Sequence, residues 1–186
     1  MSKIILGFVG QLASGKGTAA AYLRDTHGAT THRFSTMLRD VATRLHIEQS
    51  RENLQKISSA FREQFSQDIL SEVLAQDVLK DKNSLVVIDG IRRPGDMAHL
   101  KEIPGFILVH IFADLDTRYT RLTHRGENTD DNKKTKEAFI ADHKREAELK
   151  IVDIAAEATE YIDNNGTLEA LHAQLDALVQ KYESSD

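Results

Sequence analysis

The chain contains no cysteine and no tryptophan, and only two of its 186 residues are proline. The absence of cysteine excludes a disulfide framework, a zinc–thiolate site, an iron–sulfur cluster and a cysteine nucleophile. No apolar run approaches the roughly 18 residues that a membrane-spanning helix needs, and the first residues lack the pattern of a secretory leader. We therefore expect a soluble, cytoplasmic protein that has no membrane partner.

Neither sign of charge dominates the sequence. Lys and Arg total 24 against 29 Asp and Glu, which gives a formal net charge of −5. Nucleic-acid-binding proteins usually carry a basic excess, so we expect no stable nucleic-acid partner. The hydrophobic fraction of 40% and the charged fraction of 28% are typical of soluble domains, and the length favours a single domain.

Short apolar runs alternate with longer segments of helical periodicity, which is the pattern of an α/β fold with a parallel sheet. We predict strands at residues 3–9, 29–34, 85–89, 106–113 and 160–163. We predict helices at residues 15–26, 35–46, 52–80, 116–125, 133–158 and 167–182, with the third of these divided in two. Three of the strands are almost continuously apolar, as expected where both faces of a sheet are covered. The sequence therefore predicts three layers, with about five parallel strands and helices on both faces.

The first predicted strand leads directly into Gly10-Gln11-Leu12-Ala13-Ser14-Gly15-Lys16-Gly17-Thr18. Glycines at this spacing let consecutive backbone N–H groups face one anion, and the N-terminus of the following helix adds its dipole. A lysine in this register reaches the β- and γ-phosphates of a nucleotide. The motif predicts a P-loop that binds ATP, and the candidate binding residues are Gly10, Ala13, Ser14, Gly15, Lys16, Gly17 and Thr18.

Another apolar strand, at residues 85–89, ends in Asp89. In P-loop enzymes a carboxylate beside the loop and a hydroxyl of the loop hold Mg²⁺. Asp89 and Thr18 are therefore the candidate Mg²⁺ ligands. The alternative is that Asp89 is an ordinary turn or cap residue, since Asp is common at such positions.

The segment from Ser14 to Thr18 resembles the loop of the nucleoside monophosphate kinases, such as adenylate kinase, although Leu12-Ala13 stands where that family has Pro-Gly. The resemblance implies a P-loop NTPase fold and a monomer. It also implies an enzyme that moves the γ-phosphoryl group of Mg·ATP to a small phosphate acceptor, a nucleoside or deoxynucleoside monophosphate. Lys16 would then be a catalytic residue.

The segment from Asp89 to Arg93 is similar to two family motifs. It resembles Asp-Gly-Phe-Pro-Arg of the adenylate kinases, which favours Arg93 as a ligand of the acceptor phosphate. It also resembles Asp-Val-Arg-Phe-Pro-Asn-Glu of the phage-type deoxynucleoside monophosphate kinases, which favours Arg92. Both arginines are candidate substrate ligands, and Arg92 is also a candidate catalytic residue.

Three further arginines resemble acceptor-side residues of these kinases. The stretch from Phe34 to Arg39 resembles Ile-Ser-Thr-Gly-Asp-Met-Leu-Arg of the adenylate kinases with Gly-Asp deleted, which implies that Arg39 binds the acceptor phosphate. Arg51 and Arg62 resemble the arginines of the acceptor-side helices in deoxynucleotide kinases, which implies that they bind substrate. The alternative for all three is a solvated helix face, where arginine needs no ligand.

Two segments near the end of the chain suggest contacts to ATP. Arg121 and Arg125 share one helix face, and their stretch resembles the start of the adenylate kinase lid, which implies that both neutralise the transferred group. Tyr161 to Thr167 resembles a segment of the dephospho-coenzyme A kinases near the donor base, which implies that Asn164 or, preferably, Asn165 contacts adenine. A solvated helix and a plain turn are the respective alternatives.

The resemblance implies one P-loop kinase domain over residues 1–186. Its core would comprise residues 1–34, 81–114 and 158–186, its acceptor-binding helical region residues 35–80, and its lid residues 115–150. Two other functions stay open. A dephospho-coenzyme A kinase or another small-molecule kinase with a hydroxyl acceptor needs a base, but residues 29–34 include no Asp. A regulatory ATPase, a nucleotide-binding switch or a degenerate kinase would bind ATP without a small acceptor.

Overall fold

The computed structural model describes residues 3–125, 135–142 and 146–184. The strands are β1 (Ile4–Val9), β2 (Thr30–Arg33), β3 (Leu85–Asp89), β4 (Phe106–Phe112) and β5 (Glu160–Asp163). The helices are α1 (Lys16–His27), α2 (Phe34–Arg44), α3 (Arg51–Gln64), α4 (Ile69–Lys80), α5 (Pro94–Met97), α6 (Leu115–Arg125), α7 (Lys136–Asp142), α8 (Glu146–Ala155) and α9 (Leu168–Glu183).

The strands form one parallel sheet in the order β2-β3-β1-β4-β5. Parallel neighbours need crossover connections, and the chain supplies helices between successive strands. β1 lies in the centre, so its carboxyl end, where the P-loop begins, is flanked by the carboxyl ends of β3 and β4. In open α/β sheets this edge is where ligands bind.

Side chains alternate along the central strands and feed two apolar cores. Ile5 and Val9 of β1 pack with α2, α4 and α8 on one face of the sheet. Leu6 and Phe8 pack with α1 and α9 on the other face. Both faces are therefore covered, and the three-layer fold predicted from the sequence is confirmed.

The structure corrects several of the predicted boundaries. The strand predicted to end at residue 34 ends at Arg33, because Phe34 joins Leu38 and Ala42 on the buried face of α2. The helical segment 52–80 is divided in two as predicted, and the break lies between Gln64 and Ile69. The sequence did not predict the single turn of α5, which begins at Pro94, a residue favoured at the first helical position.

The predicted helix at residues 133–158 is described in part, as α7 and α8, because residues 133, 134 and 143–145 lie outside the described ranges. Among the helices that the structure describes, none is long and apolar enough to cross a membrane.

Candidate functional site

The P-loop occupies the turn between the end of β1 at Val9 and the start of α1 at Lys16. Gly15 has φ +103°, and a Cβ there would collide with the Asn164 side-chain amide. Ala13 also takes a left-handed conformation, with φ +62°. Left-handed residues beside right-handed ones turn successive N–H groups toward one side and form an anion-binding concavity. The backbone therefore has the shape that phosphate binding needs.

Two side chains of the loop also fit an anion. The Lys16 Nζ donates to the carbonyl oxygens of Gly10, at 2.5 Å, and Gln11, at 3.1 Å, so its ammonium group lies across the loop. Ser14 is 1% exposed, and among the residues that the structure describes its Oγ has no hydrogen-bond partner. An unpaired buried hydroxyl costs free energy, and a bound phosphate oxygen would remove that cost. These residues fit the triphosphate that the sequence predicted.

The two asparagines at the end of β5 have different surroundings. The Asn164 side chain is 4% exposed, and its Nδ2 donates to the Ser14 carbonyl at 2.8 Å. Asn165, the predicted adenine contact, accepts from the Asp114 backbone N–H and donates to Asp163, both at 2.8 Å. In this structure Asn164 therefore supports the P-loop, while the Asn165 amide joins the ends of β4 and β5.

Arginines of α6 approach the loop from the side opposite β3. Arg118, which the sequence did not single out as a ligand, is buried, and it donates to the carbonyls of Ala113 at 2.9 Å and Leu12 at 3.3 Å. Arg121 donates to the Asn164 Oδ1 at 3.5 Å, and burial lowers its pKa. Its Nη1 is buried and has no partner within the described part of the chain. Arg125 ends α6, and its side chain lies outside what the structure describes, as does that of Arg51 at the start of α3.

Asp89 faces an arginine that the sequence-based interpretation overlooked. The Arg33 Nε lies 3.2 Å from the Asp89 Oδ2, with side-chain exposures of 47% and 14%. The Arg33 Nη2 lies 3.3 Å from the point that a Cβ at Gly17 would occupy. The missing side chain at Gly17 therefore admits the guanidinium to the first turn of α1. A cation ending a strand at the ligand-binding edge was the signal that identifies Arg33 as a candidate.

The predicted metal residues offer hard oxygen donors beside this turn. Asp89 supplies a carboxylate, and Thr18 is exposed on the first turn of α1. Within the described ranges no group of three His, Cys, Asp or Glu side chains is arranged to hold a metal. A site with one carboxylate fits Mg²⁺, which is usually held by one or two carboxylates together with substrate phosphates.

The arginine loop, residues 90–94, is fixed from below by Asp96. The Asp96 Oδ2 accepts from the backbone N–H groups of Arg92 and Arg93, both at 2.9 Å. Its Oδ1 lies 2.7 Å from the Arg62 Nη2, and the two side chains are 4% and 5% exposed. Arg92 itself is exposed and Arg93 half-buried. Asp96 therefore holds the loop backbone, while the Arg92 side chain lies at the surface.

The interpretation of Arg62 as a substrate ligand needs correction in this structure. Its guanidinium is buried against Asp96 and also donates to the Gln67 carbonyl at 2.5 Å. Its charge is thus already neutralised, and its donors are directed into the protein. Arg39, by contrast, is exposed on α2 and donates to the Gln49 side chain at 3.2 Å.

Comparison with known proteins relates this arrangement to a family. A family model described as an AAA domain, AAA_18, matches residues 6–150. The UPF0200 protein of Hyperthermus butylicus is 25% identical over 179 residues, which cover 96% of this chain and 95% of the relative. The UPF0200 protein of Methanoregula boonei is 26% identical over 180 residues, which cover 96% of this chain and 97% of the relative.

Solved structures show the same fold. TT1252 from Thermus thermophilus superposes with a TM-score of 0.68 at 18% identity, over 97% of this chain and 98% of that one. Shikimate kinase from Bacteroides thetaiotaomicron superposes with a TM-score of 0.64 at 13% identity, over the same shares of the two chains. The family model spans most of the chain and includes the P-loop, Asp89 and α6. The chain therefore belongs to the AAA_18 family of AAA domains and has a P-loop kinase-like fold.

Proposed function

We propose that the protein is an ATP-dependent phosphotransferase that moves the γ-phosphoryl group of Mg·ATP to a nucleoside or deoxynucleoside monophosphate. The observation that carries this proposal is the charge at the end of β2. Arg33 stands there beside the P-loop and pairs with Asp89. A guanidinium group in this place favours an acceptor that brings its own negative charge, because its planar fork matches phosphate oxygens.

The donor nucleotide would be held by the backbone of the P-loop and by Lys16. Asp89 and Thr18 would hold Mg²⁺, which would neutralise charge that develops on the phosphate groups. Of the two predicted lid arginines, Arg121 is the one whose side chain the structure describes, and Asn164 links it to the P-loop. We assign Arg121, with Arg125, to the transferred group, and residues 115–150 to the lid.

The acceptor would lie between the arginine loop and the helices of residues 35–80. Arg92 and Arg93, on a backbone held by Asp96, would bind its phosphate together with Arg39. A phosphate with a second pKa near 6 is already ionised at neutral pH. The reaction therefore needs positioning and charge neutralisation, and no side chain has to remove a proton from the acceptor.

Measurement of ADP release from Mg·ATP against a panel of acceptors tests the proposal. The panel contains AMP, CMP, UMP, GMP, their deoxy forms, dTMP, dephospho-coenzyme A and shikimate. We expect one or a few monophosphates to give turnover of about 1–100 s⁻¹. Turnover with dephospho-coenzyme A or shikimate alone would replace the proposed acceptor. ATP binding without stimulation by any acceptor would favour a regulatory ATPase or a degenerate kinase.

The Lys16→Ala variant is the control for that panel. We expect it to lower turnover by about 10²- to 10³-fold, because it removes a charge aimed at the transferred phosphate. Its melting temperature should stay close to that of the unchanged protein, since Lys16 is only half-buried. Turnover that survives the substitution unchanged would place the reaction outside the P-loop.

A further inference from the structure

Arg33 is placed by backbone pairing directly beside the proposed metal carboxylate. β2 and β3 are parallel neighbours, and their register sets Arg33 opposite Asp89. Arg33 is also the residue from which α2 departs, since α2 begins at Phe34. The pairing of β2 with β3 before it and the start of α2 after it fix the Arg33 backbone. Its long side chain keeps its rotational freedom, because nearly half of it is exposed.

The guanidinium spans the space between Asp89 and the P-loop helix. Its Nε lies 3.2 Å from the Asp89 carboxylate, and its Nη2 faces the bare backbone of Gly17. Gly17 follows Lys16 and precedes Thr18, the second proposed metal residue. A monovalent cation therefore occupies, in this structure, the neighbourhood in which the proposed function requires a divalent one.

Two cations near one carboxylate repel each other. Because they would lie close together, salt screens this repulsion only in part. When the Asp89 carboxylate coordinates a metal ion, the Arg33 guanidinium is therefore more stable in a second position, away from that carboxylate. A phosphate dianion on the acceptor side offers such a position, because arginine binds phosphate through paired hydrogen bonds. The half-exposed side chain can move without disturbing the sheet.

We propose that Arg33 exchanges partners: it neutralises Asp89 in the free protein and binds the acceptor phosphate in the complex, which releases Asp89 for the metal ion. This inference rests on the proposed function, since it requires an acceptor that carries phosphate. Coupling between two binding sites is reciprocal, so acceptor phosphate would strengthen metal binding and metal would strengthen acceptor binding by the same factor.

The experiment measures binding and needs no turnover. The dissociation constant of AMP-PNP is determined by calorimetry in EDTA and in excess Mg²⁺, and the ratio of the two values is the metal factor. Each titration is repeated with inorganic phosphate as the probe of the acceptor site. Phosphate can also compete with AMP-PNP for the P-loop. This competition raises both dissociation constants, so it largely cancels in the metal factor.

Without phosphate, we expect the metal factor of Arg33→Gln to be about three- to ten-fold larger than that of the unchanged protein. The variant loses a partly exposed ion pair with Asp89, and it also loses the repulsion between the guanidinium and the metal ion. Phosphate should raise the metal factor of the unchanged protein toward that value and leave that of Arg33→Gln unaltered. Arg33→Lys keeps the charge but loses the paired hydrogen bonds to phosphate, and it should retain only part of the coupling. Arg24→Gln, which breaks the exposed pair with Asp25 on α1, should behave as the unchanged protein.

An equal or smaller metal factor in Arg33→Gln would overturn the exchange, and so would a rise with phosphate that is the same in both proteins. The acceptor panel separates this result from the fate of the proposed function. Turnover on a monophosphate with no change in the metal factor leaves the kinase reaction standing and removes the role of Arg33. The expected metal factors without turnover on any acceptor support the exchange and remove the proposed reaction.

Discussion

The proposed donor side of the site and its proposed acceptor side hold their polar side chains differently. The donor side comprises the P-loop, the end of β5 and α6, and the acceptor side comprises the end of β2, the arginine loop and α2 to α4. On the donor side, Ser14, Asn164 and Arg118 are buried, and the last two are hydrogen-bonded to backbone carbonyls. On the acceptor side, Arg33, Arg39 and Arg92 are exposed.

The acceptor side is also less tightly packed than the donor side. Between α2, α3 and α4 lies a cavity of about 310 Å³ lined by apolar side chains, among them Met37, Val41 and Phe61. At the end of α3, Phe65 is 72% exposed. Segments with few buried contacts open at a lower free-energy cost. The donor side is therefore the more firmly held of the two, as electrostatic catalysis favours, and we infer that the acceptor side rearranges more when ligands bind.

Arg62 and Asp96 are the exception on the acceptor side, and breaking their pair should give the largest effect on stability. Arg62→Met leaves the buried Asp96 carboxylate without its charged partner, which typically costs about 3–5 kcal/mol. We expect a decrease of that size in the free energy of unfolding, measured by urea denaturation. Weaker acceptor binding should accompany it, because Asp96 holds the backbone of the arginine loop.

Lys56→Met is the matched control for this change. Lys56 lies on the same helix and pairs with Glu52, but the pair is exposed to solvent, and such pairs contribute little. We expect no measurable change in stability. A similar loss of unfolding free energy in both variants would show that α3 is sensitive to the loss of any charge. The buried pair would then have no special role in stabilising the acceptor side.

On the donor side, Asn164→Ala should have the next largest effect. It leaves the buried Ser14 carbonyl without a donor, and an unsatisfied buried group costs about 1–3 kcal/mol. We expect a loss of this size in the free energy of unfolding and a lower affinity for AMP-PNP. Asn165→Ala, whose amide is bonded at the exposed surface, should change both quantities less. The reverse order would make Asn165 the more important of the two.

The sequence predicted the fold better than the site. Three of the strands were found because they are almost continuously apolar, and the helices because they are periodic. The P-loop was found because its glycines and Lys16 stand at fixed spacing. Arg62 was misread because an arginine on a helix looks the same whether it faces solvent or Asp96, which is 34 residues away. Arg33 was overlooked because its role depends on the register of β2 against β3 and on the bare backbone of Gly17.

Ala13 tests whether the preformed shape of the donor side carries strain. A left-handed backbone costs roughly 1–2 kcal/mol for a residue with a Cβ, and glycine lowers that cost at an entropic expense of about 0.5–1 kcal/mol. Ala13→Gly should therefore raise the free energy of unfolding by roughly 0.5–1 kcal/mol. His46→Gly, at φ +56° on the acceptor side, should give a similar gain. A loss of stability in Ala13→Gly alone would mean that the loop needs the stiffness of alanine.

The last prediction concerns His110 on β4 and has the smallest and most local expected effect. The charge of Lys16 influences the pKa of the His110 ring. Burial, and secondly the positive charge of Lys16, lower the pKa of His110. In the free protein, the stability that depends on neutral His110 is therefore present above about pH 6.5 and is lost as the pH falls through the lowered pKa.

Binding of AMP-PNP would bring negative charge to Lys16 and so favour the charged form of His110. We expect the pKa of His110, followed by NMR of the ring proton, to rise when AMP-PNP binds, and to rise also in ligand-free Lys16→Ala. A pKa of His110 that is insensitive to both changes would mean that Lys16 points away from β4 in solution, and that the donor side is less completely organised before ligands bind than its buried hydrogen bonds indicate.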